Sequence, residues 1–162
     1  YLKLPKKRFE FRGQIDERIL YDDYAHHPNE IKETIKLGRL LIQQKHNIEH
    51  QKSRLIAIFQ PHRYSRVKQF AKEIAYELSK ADIIYVTDIY GAGEINEDKI
   101  NSTIITDFIY KQNKNVYYIN NYHEIRENFY KLTQQGDLIL NMGAGDCHNF
   151  WSILNTKKDK EL

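Results

Sequence analysis

The sequence predicts an α/β fold built on a doubly wound, mainly parallel sheet with helices on both faces. Three observations carry that expectation. The strand-length runs Leu55-Ile56-Ala57-Ile58-Phe59 and Ile83-Ile84-Tyr85-Val86 are apolar at consecutive positions rather than alternating, as strands covered on both faces must be. Stretches with helical periodicity separate such runs, so strand and helix alternate along the chain. Polar and titratable residues crowd directly after the strands, the end at which open α/β sheets bind ligands.

Taken in order, Phe9 to Phe11 and Arg18 to Tyr21 are short strand candidates, with Gly13-Gln14-Ile15-Asp16 as the hairpin turn between them. A helix is expected from Asn29 to about His46, with Ile31, Ile35, Leu37, Leu40, Leu41 and Ile42 as its apolar stripe. After the strand Leu55 to Phe59 comes a helix from about Ser65 to Ser79, carrying Val67, Phe70, Ile74, Ala75 and Leu78. The strand Ile83 to Val86 precedes a helix from Ile100 to Tyr110. Val116 to Ile119 as a strand, a helix from Tyr122 to Leu132, a strand from Leu138 to Leu140 and a last helix toward Leu154 complete the pattern.

A chain of 162 residues that is 41% hydrophobic is the size of one domain. Residues 1–155 are read as that domain and 156–162 as a basic, disordered tail, and the missing initiator methionine suggests a fragment. Lys and Arg number 25 against 22 Asp and Glu, and apart from Lys6-Lys7-Arg8 and the tail the basic residues are scattered, so nucleic acid is not an expected partner. Cys147 is the only cysteine, which excludes an internal disulfide and fits the reducing cytoplasm. No apolar run is long enough to span a bilayer, and no membrane partner is expected.

Four segments carry candidate chemistry. Asp22-Asp23-Tyr24-Ala25-His26-His27-Pro28 leads from a strand into a helix start; Pro28 suits the first turn, where free amides attract anions. Asp23 suits sugar hydroxyls or a metal, and His26 can donate to a phosphate or carboxylate. The plainer alternative is a capping Asp with two turn histidines. In Gln60-Pro61-His62-Arg63-Tyr64-Ser65-Arg66, Arg63 and Arg66 are three apart; if that stretch is helical, both guanidinium groups share one face and suit an anion. Cations at a helix start oppose the dipole, a broken local rule that points to function over surface ion pairing. Tyr90-Gly91-Ala92-Gly93-Glu94 and Met142-Gly143-Ala144-Gly145-Asp146 permit sharp turns or close approach of backbone to a ligand. The spacing of His26, His62, Cys147 and His148 supports no zinc site, and the absence of a Gly-x-x-x-x-Gly-Lys-Ser/Thr loop predicts no ATP hydrolysis by this chain alone.

Taken together, these four segments resemble, in order and spacing, the successive motifs of the Mur ligase family, in particular the branch that joins L-alanine to UDP-N-acetylmuramate, with the likeness running from about Phe9 to Leu154. Gln60-Pro61-His62-Arg63-Tyr64 favours that branch over the murein-tripeptide recycling ligases. The resemblance implies a Rossmann-like C-terminal domain of a three-domain cytoplasmic enzyme of peptidoglycan synthesis. Its N-terminal domain would bind the UDP-sugar, and its central domain ATP and Mg2+. It also implies that Tyr24, His26, Arg63 and Arg66 line the pocket for the amino acid and the muramoyl end, and that Asp23 lies near the nucleotide ribose. His27, His62, Glu94, Gly143 and Gly145 are further pocket candidates without an assigned contact. Ser65 and Gly91 stand where the family more often has Thr and Ala. A non-enzymatic nucleotide- or carboxylate-binding module on the same scaffold is the rival reading.

Overall fold

A six-stranded sheet in the order β1-β2-β6-β3-β4-β5 organises the molecule. The computed structural model describes residues 8–49 and 53–155; Lys6, Lys7 and the expected tail 156–162 lie outside the described residues. The strands are β1 (Glu10–Ile15), β2 (Arg18–Asp23), β3 (Leu55–Phe59), β4 (Ile83–Val86), β5 (Val116–Tyr118) and β6 (Leu138–Met142). The helices are α1 (Pro28–Glu49), α2 (Tyr64–Leu78), α3 (Thr103–Tyr110), α4 (Tyr122–Glu127), α5 (Phe129–Leu132) and α6 (Phe150–Asn155). Only the edge strand β1 runs antiparallel, paired to β2. The remaining pairs are parallel, which bears out the predicted fold class.

The continuous apolar runs have the expected physical cause. Every residue of β3 and β6 is buried, because alternate side chains face opposite layers. Leu55, Ala57, Phe59, Leu138 and Leu140 join one core with Ile31 and Ile35 of α1, Val67 and Ile74 of α2, and Ile105 of α3. Ile56, Ile58 and Ile139 join a second core with Tyr122 and Ile125 of α4, Phe129 of α5 and Phe150 of α6. Truncating a side chain such as Phe59, which is fully buried, removes roughly 3 to 5 kcal/mol.

Local geometry departs from the sequence reading in four places. The hairpin turn falls on Asp16 and Glu17, both at positive φ, instead of on Gly13 to Asp16. Gly13 lies inside β1 at a register shift, where an added Cβ would stand 2.5 Å from the Trp151 ring of α6. The expected helix from Tyr122 to Leu132 is broken at Asn128, whose side-chain amide donates to the Glu124 carbonyl and whose backbone leaves helical geometry. Helix α3 starts at Thr103, after Asn96 has bonded both the amide and the carbonyl of Ile100 and held that segment as a loop. Finally, β2 and β6 each run two residues past the expected ends, pairing Asp22 with Asn141 and Asp23 with Met142.

At the opposite, amino-terminal ends of the strands, ion pairs pin the layers. Arg54 makes a two-bond fork to Asp137 (2.9 and 2.6 Å), and Asp137 also accepts from the Gln134 amide. Arg39 of α1 makes a similar fork to Asp82, which takes the Leu55 amide at 2.7 Å. Asp137 is fully buried, so its loss strands both the Arg54 guanidinium and an amide. Asp137→Ala should therefore lower unfolding free energy by roughly 2 to 4 kcal/mol in denaturant titrations. An effect below about 0.5 kcal/mol would show that solvent replaces the pair at no cost.

Candidate functional site

The carboxyl ends of β2, β3, β4 and β6 bring the four polar segments together. At the end of β2, the Asp23 carboxylate accepts from the Phe9 amide (2.8 Å) and the Ala25 amide (2.7 Å), which folds the chain sharply and leaves Tyr24 exposed. Burial nonetheless holds the Asp23 pKa above its ordinary value. His26 Nδ1 lies 2.8 Å from the Tyr24 carbonyl, which assigns that nitrogen as the donor, and 3.4 Å from Glu30. Pro28 opens α1 as expected, but the amides ahead of it are not free. Glu30 Oε2 accepts from the His26 and His27 amides at 3.1 and 3.2 Å, a carboxylate reaching back over the helix start. Burial pushes the Glu30 carboxyl up, but those amides, His26 and Arg8 together hold it below its ordinary value.

At the end of β3 the chain makes a one-residue parallel bridge, His62 with Tyr90, before α2 begins. The Tyr90 amide donates to the Pro61 carbonyl and the Arg63 amide to the Tyr90 carbonyl, both at 2.8 Å. Arg63 then turns the chain at φ 69°, ψ 133°, a conformation that side chains rarely adopt. Because Arg63 is the residue before the helix, the expected shared helical face of Arg63 and Arg66 does not form. The two cations have different partners instead. Arg66 reaches His62 Nδ1 at 3.0 Å, and Arg63 lies 3.8 Å from Glu94. Burial first, then His26, Arg66 and Arg63, holds the His62 pKa below its ordinary value, consistent with an unprotonated Nδ1 accepting from Arg66.

The rings form a continuous row. Tyr24 meets His26 edge-on at 5.4 Å, His26 lies 5.5 Å from His62, and His62 stacks on Tyr90 at 5.7 Å with 12° between planes. His27 leaves this row, packing against Phe70 of α2 at 4.9 Å. Glycines of the last motif let the β6 loop approach: the Gly143 amide donates to the Asp23 carbonyl at 3.1 Å, and a Cβ on Gly145 would stand 2.5 Å from Tyr90 and 2.6 Å from Gln60. A cavity of about 400 Å³ opens beyond these strand ends, lined by Gln60, Asp88, Tyr90, Asn120, His123 and Asp146 among others.

Several contributors escaped the sequence reading. Glu30 was detectable as an acid three residues past the residue preceding α1. Tyr90 and Gln60 were visible in their motifs but carried no spacing signal. Asn141, buried at the end of β6, donates to Asp22 (2.9 Å) and to the Cys147 carbonyl (2.8 Å), and no local pattern marks that triad. Among the described residues, no group of three or more His, Cys, Asp and Glu is placed to hold a metal ion.

The fold and these strand ends define a doubly wound α/β domain whose polar surface gathers at the carboxyl ends of a mainly parallel sheet. The profile described as Mur ligase, glutamate ligase domain matches residues 7–145, and the chain belongs to the Mur ligase family. It is 64% identical over 157 residues to a UDP-N-acetylmuramate--L-alanine ligase of Prochlorococcus marinus subsp. pastoris, covering 96% of this chain and 33% of that protein. The chain thus spans about a third of the length of the curated relatives it matches. Among solved structures it is similar to a UDP-N-acetylmuramate-alanine ligase of Thermotoga maritima (TM-score 0.63, 24% identity, 91% of this chain and 29% of that one). A murein peptide ligase of Psychrobacter arcticus shares the fold (TM-score 0.67, 20% identity, 93% of this chain and 29% of that one).

Burial of Asp22 generates a pH dependence. Burial foremost, and Glu10 weakly, raise its carboxyl to about 6 from 3.8, against the opposing Asn141 bond and the Arg12 and His148 charges. The folded state therefore holds this proton more tightly than the unfolded chain. That stabilisation is present in full below the unfolded value and is lost as pH rises through about 6. Asp22→Asn keeps an oxygen for Asn141 but cannot titrate. The unfolding free energy of this variant relative to wild type should rise by roughly 1 to 3 kcal/mol between about pH 4 and about pH 7. A difference that stays constant over that range would show that Asp22 titrates alike in both states.

Proposed function

We propose that this chain is the amino-acid-facing domain of an ATP-dependent ligase that joins L-alanine to UDP-N-acetylmuramate in the cytoplasm. The observation that carries the reading is the convergence of Arg63, Arg66, His26, His62 and Tyr24 at adjoining strand ends, in a family whose 64% identical relative bears that activity in its name. In the proposed reaction the muramoyl carboxylate is phosphorylated by ATP, the alanine amine attacks the acyl phosphate, an amide forms and phosphate leaves. The UDP-sugar, the nucleotide phosphates and Mg2+ would be held by N-terminal and central domains, because this chain has no P-loop.

What these residues contribute is binding and positioning, which with charge stabilisation dominates phosphoryl transfer. Two guanidinium groups suit the alanine carboxylate and the anionic intermediate. His26, with Nδ1 committed to the Tyr24 carbonyl, presents Nε2, and Tyr24 offers an exposed ring and hydroxyl beside it. Asp23 would face the ribose through lone pairs left over from its two amide bonds, since a carboxylate has about four acceptor sites. Asp23 also builds the turn that carries Tyr24 and His26, so its replacement should disturb both ligands. The likeness to murein peptide ligase shows the fold alone, and the tripeptide-recycling and non-enzymatic readings gain no specific observation.

Two measurements test the proposal. By titration calorimetry the isolated chain should bind ATP weakly; submicromolar affinity needs more than about 8 kcal/mol, which a ribose contact and a few polar groups do not supply. In the full-length ligase, Arg63→Ala or Arg66→Ala should lower kcat/KM for L-alanine by roughly 30- to 1000-fold, the loss of about 2 to 4 kcal/mol of charge-assisted bonding. Lysine at either position should rescue only in part, because it restores charge without the fork. Changes below about fivefold would mark both as surface ion-pair residues and remove them from the pocket.

A further inference from the structure

Glu94 makes a contact pattern that neither a simple surface acid nor a ligand-binding group requires. It is delivered by a tight turn over Gly91-Ala92-Gly93, in which Ala92 and Gly93 both have positive φ and the Glu94 amide donates to the Gly91 carbonyl at 3.0 Å. Its two oxygens then close on the start of α2: Oε2 accepts from the Ser65 amide at 3.0 Å and Oε1 from the Ser65 hydroxyl at 2.6 Å. The same carboxylate lies 3.8 Å from Arg63. No acidic residue stands in the first turn of α2 itself, and Arg63 makes no side-chain cap. The carboxylate that a helix start favours therefore arrives from another strand's loop.

The distances divide the labour. The bonds to Ser65 are true hydrogen bonds and fix Glu94 to the helix. The 3.8 Å approach to Arg63 is too long for one, so it steers the guanidinium without consuming its donors. Arg63 needs such steering: its side chain is half exposed, it sits at the positive end of a helix, and its own backbone is strained. Without Glu94, the positive end of the helix dipole would act on the Arg63 charge unopposed.

We propose that Glu94 is a positioning residue for Arg63, holding the α2 start and the guanidinium in the arrangement that receives the amino-acid carboxylate. This rests on the pocket reading given above, and the test separates the two. In the full-length ligase, Glu94→Gln should raise KM for the amino acid by about three- to tenfold while kcat and the ATP KM change by less than about twofold. Ser65→Ala, which loosens the anchor without touching the charge, should shift KM in the same direction by a smaller factor. Glu94→Asp keeps the charge on a shorter arm and should recover part of the loss. In an Arg63→Ala background, Glu94→Gln should add less than about twofold, because nothing remains to be positioned. Unchanged amino-acid KM in Glu94→Gln, beside an impaired Arg63→Ala enzyme, overturns the positioning role alone, as does an undiminished Glu94→Gln effect in the Arg63→Ala background. A normal kcat/KM for the amino acid in Arg63→Ala overturns the pocket reading and the positioning role with it.

Discussion

Covering β3 and β6 on both faces is the constraint on which the rest of this structure depends. The ten positions of β3 and β6 are buried, so none of them can carry a charge, and the groups with chemistry to do gather at or beyond the carboxyl ends of the strands. Parallel pairing adds direction to that constraint. With Phe59 registered against Met142, the loops after both strands emerge at one level, and the Gln60 amide bonds the Met142 carbonyl at 2.9 Å. Two segments 83 residues apart in sequence thereby become neighbours without any contact between their side chains being needed.

The two ends of the sheet solve different problems with the same residue types. At the amino-terminal ends, the Arg54–Asp137 and Arg39–Asp82 pairs are forked at short distance, and each carboxylate also takes a backbone amide. Each guanidinium there is held by a two-bond fork, which is the arrangement that stiffens a contact between neighbouring elements. At the carboxyl ends the cations are held by weaker or neutral partners, His62 for Arg66 and the more distant Glu94 for Arg63. A fully paired guanidinium is a structural staple; an incompletely paired one can still meet an anion.

Much of this was legible before any coordinates. The uninterrupted apolar runs announced a covered parallel sheet because exposure on either face would have demanded polar alternation, and helical periodicity supplied the layers. Clusters such as Asp23 to Pro28 and Gln60 to Arg66 stood out because so many polar groups in succession exceed what a turn or a cap needs. What stayed hidden were relations between segments. Nothing in the vicinity of Arg63 in sequence says that a carboxylate 31 residues later will cap the helix beside it, and nothing near Asp22 announces Asn141. The misplacement of the hairpin turn has a similar origin. Gly13 was the natural turn residue by propensity, but a long-range contact with Trp151 claimed it, and Asp16 and Glu17 took positive φ without glycine's help. The shared helical face of the two arginines failed for a local reason, since a residue at φ 69° cannot continue a helix.

The protonation state of His62 couples the two cations. As an acceptor toward Arg66, Nδ1 must be without a proton, and a protonated ring would set two cations 3.0 Å apart. Burial, the neighbouring His26 ring and the two arginines all push in the direction that avoids this, with only Glu94 opposing. The cations that would receive an anion therefore also keep His62 in the state that orients one of them. The same ring stacks on Tyr90, whose backbone fixes Arg63. The two arginines, separated in their side-chain partners, are thus rejoined through one neutral histidine and one strand-end tyrosine, and the geometry of either cation depends on the packing of that pair.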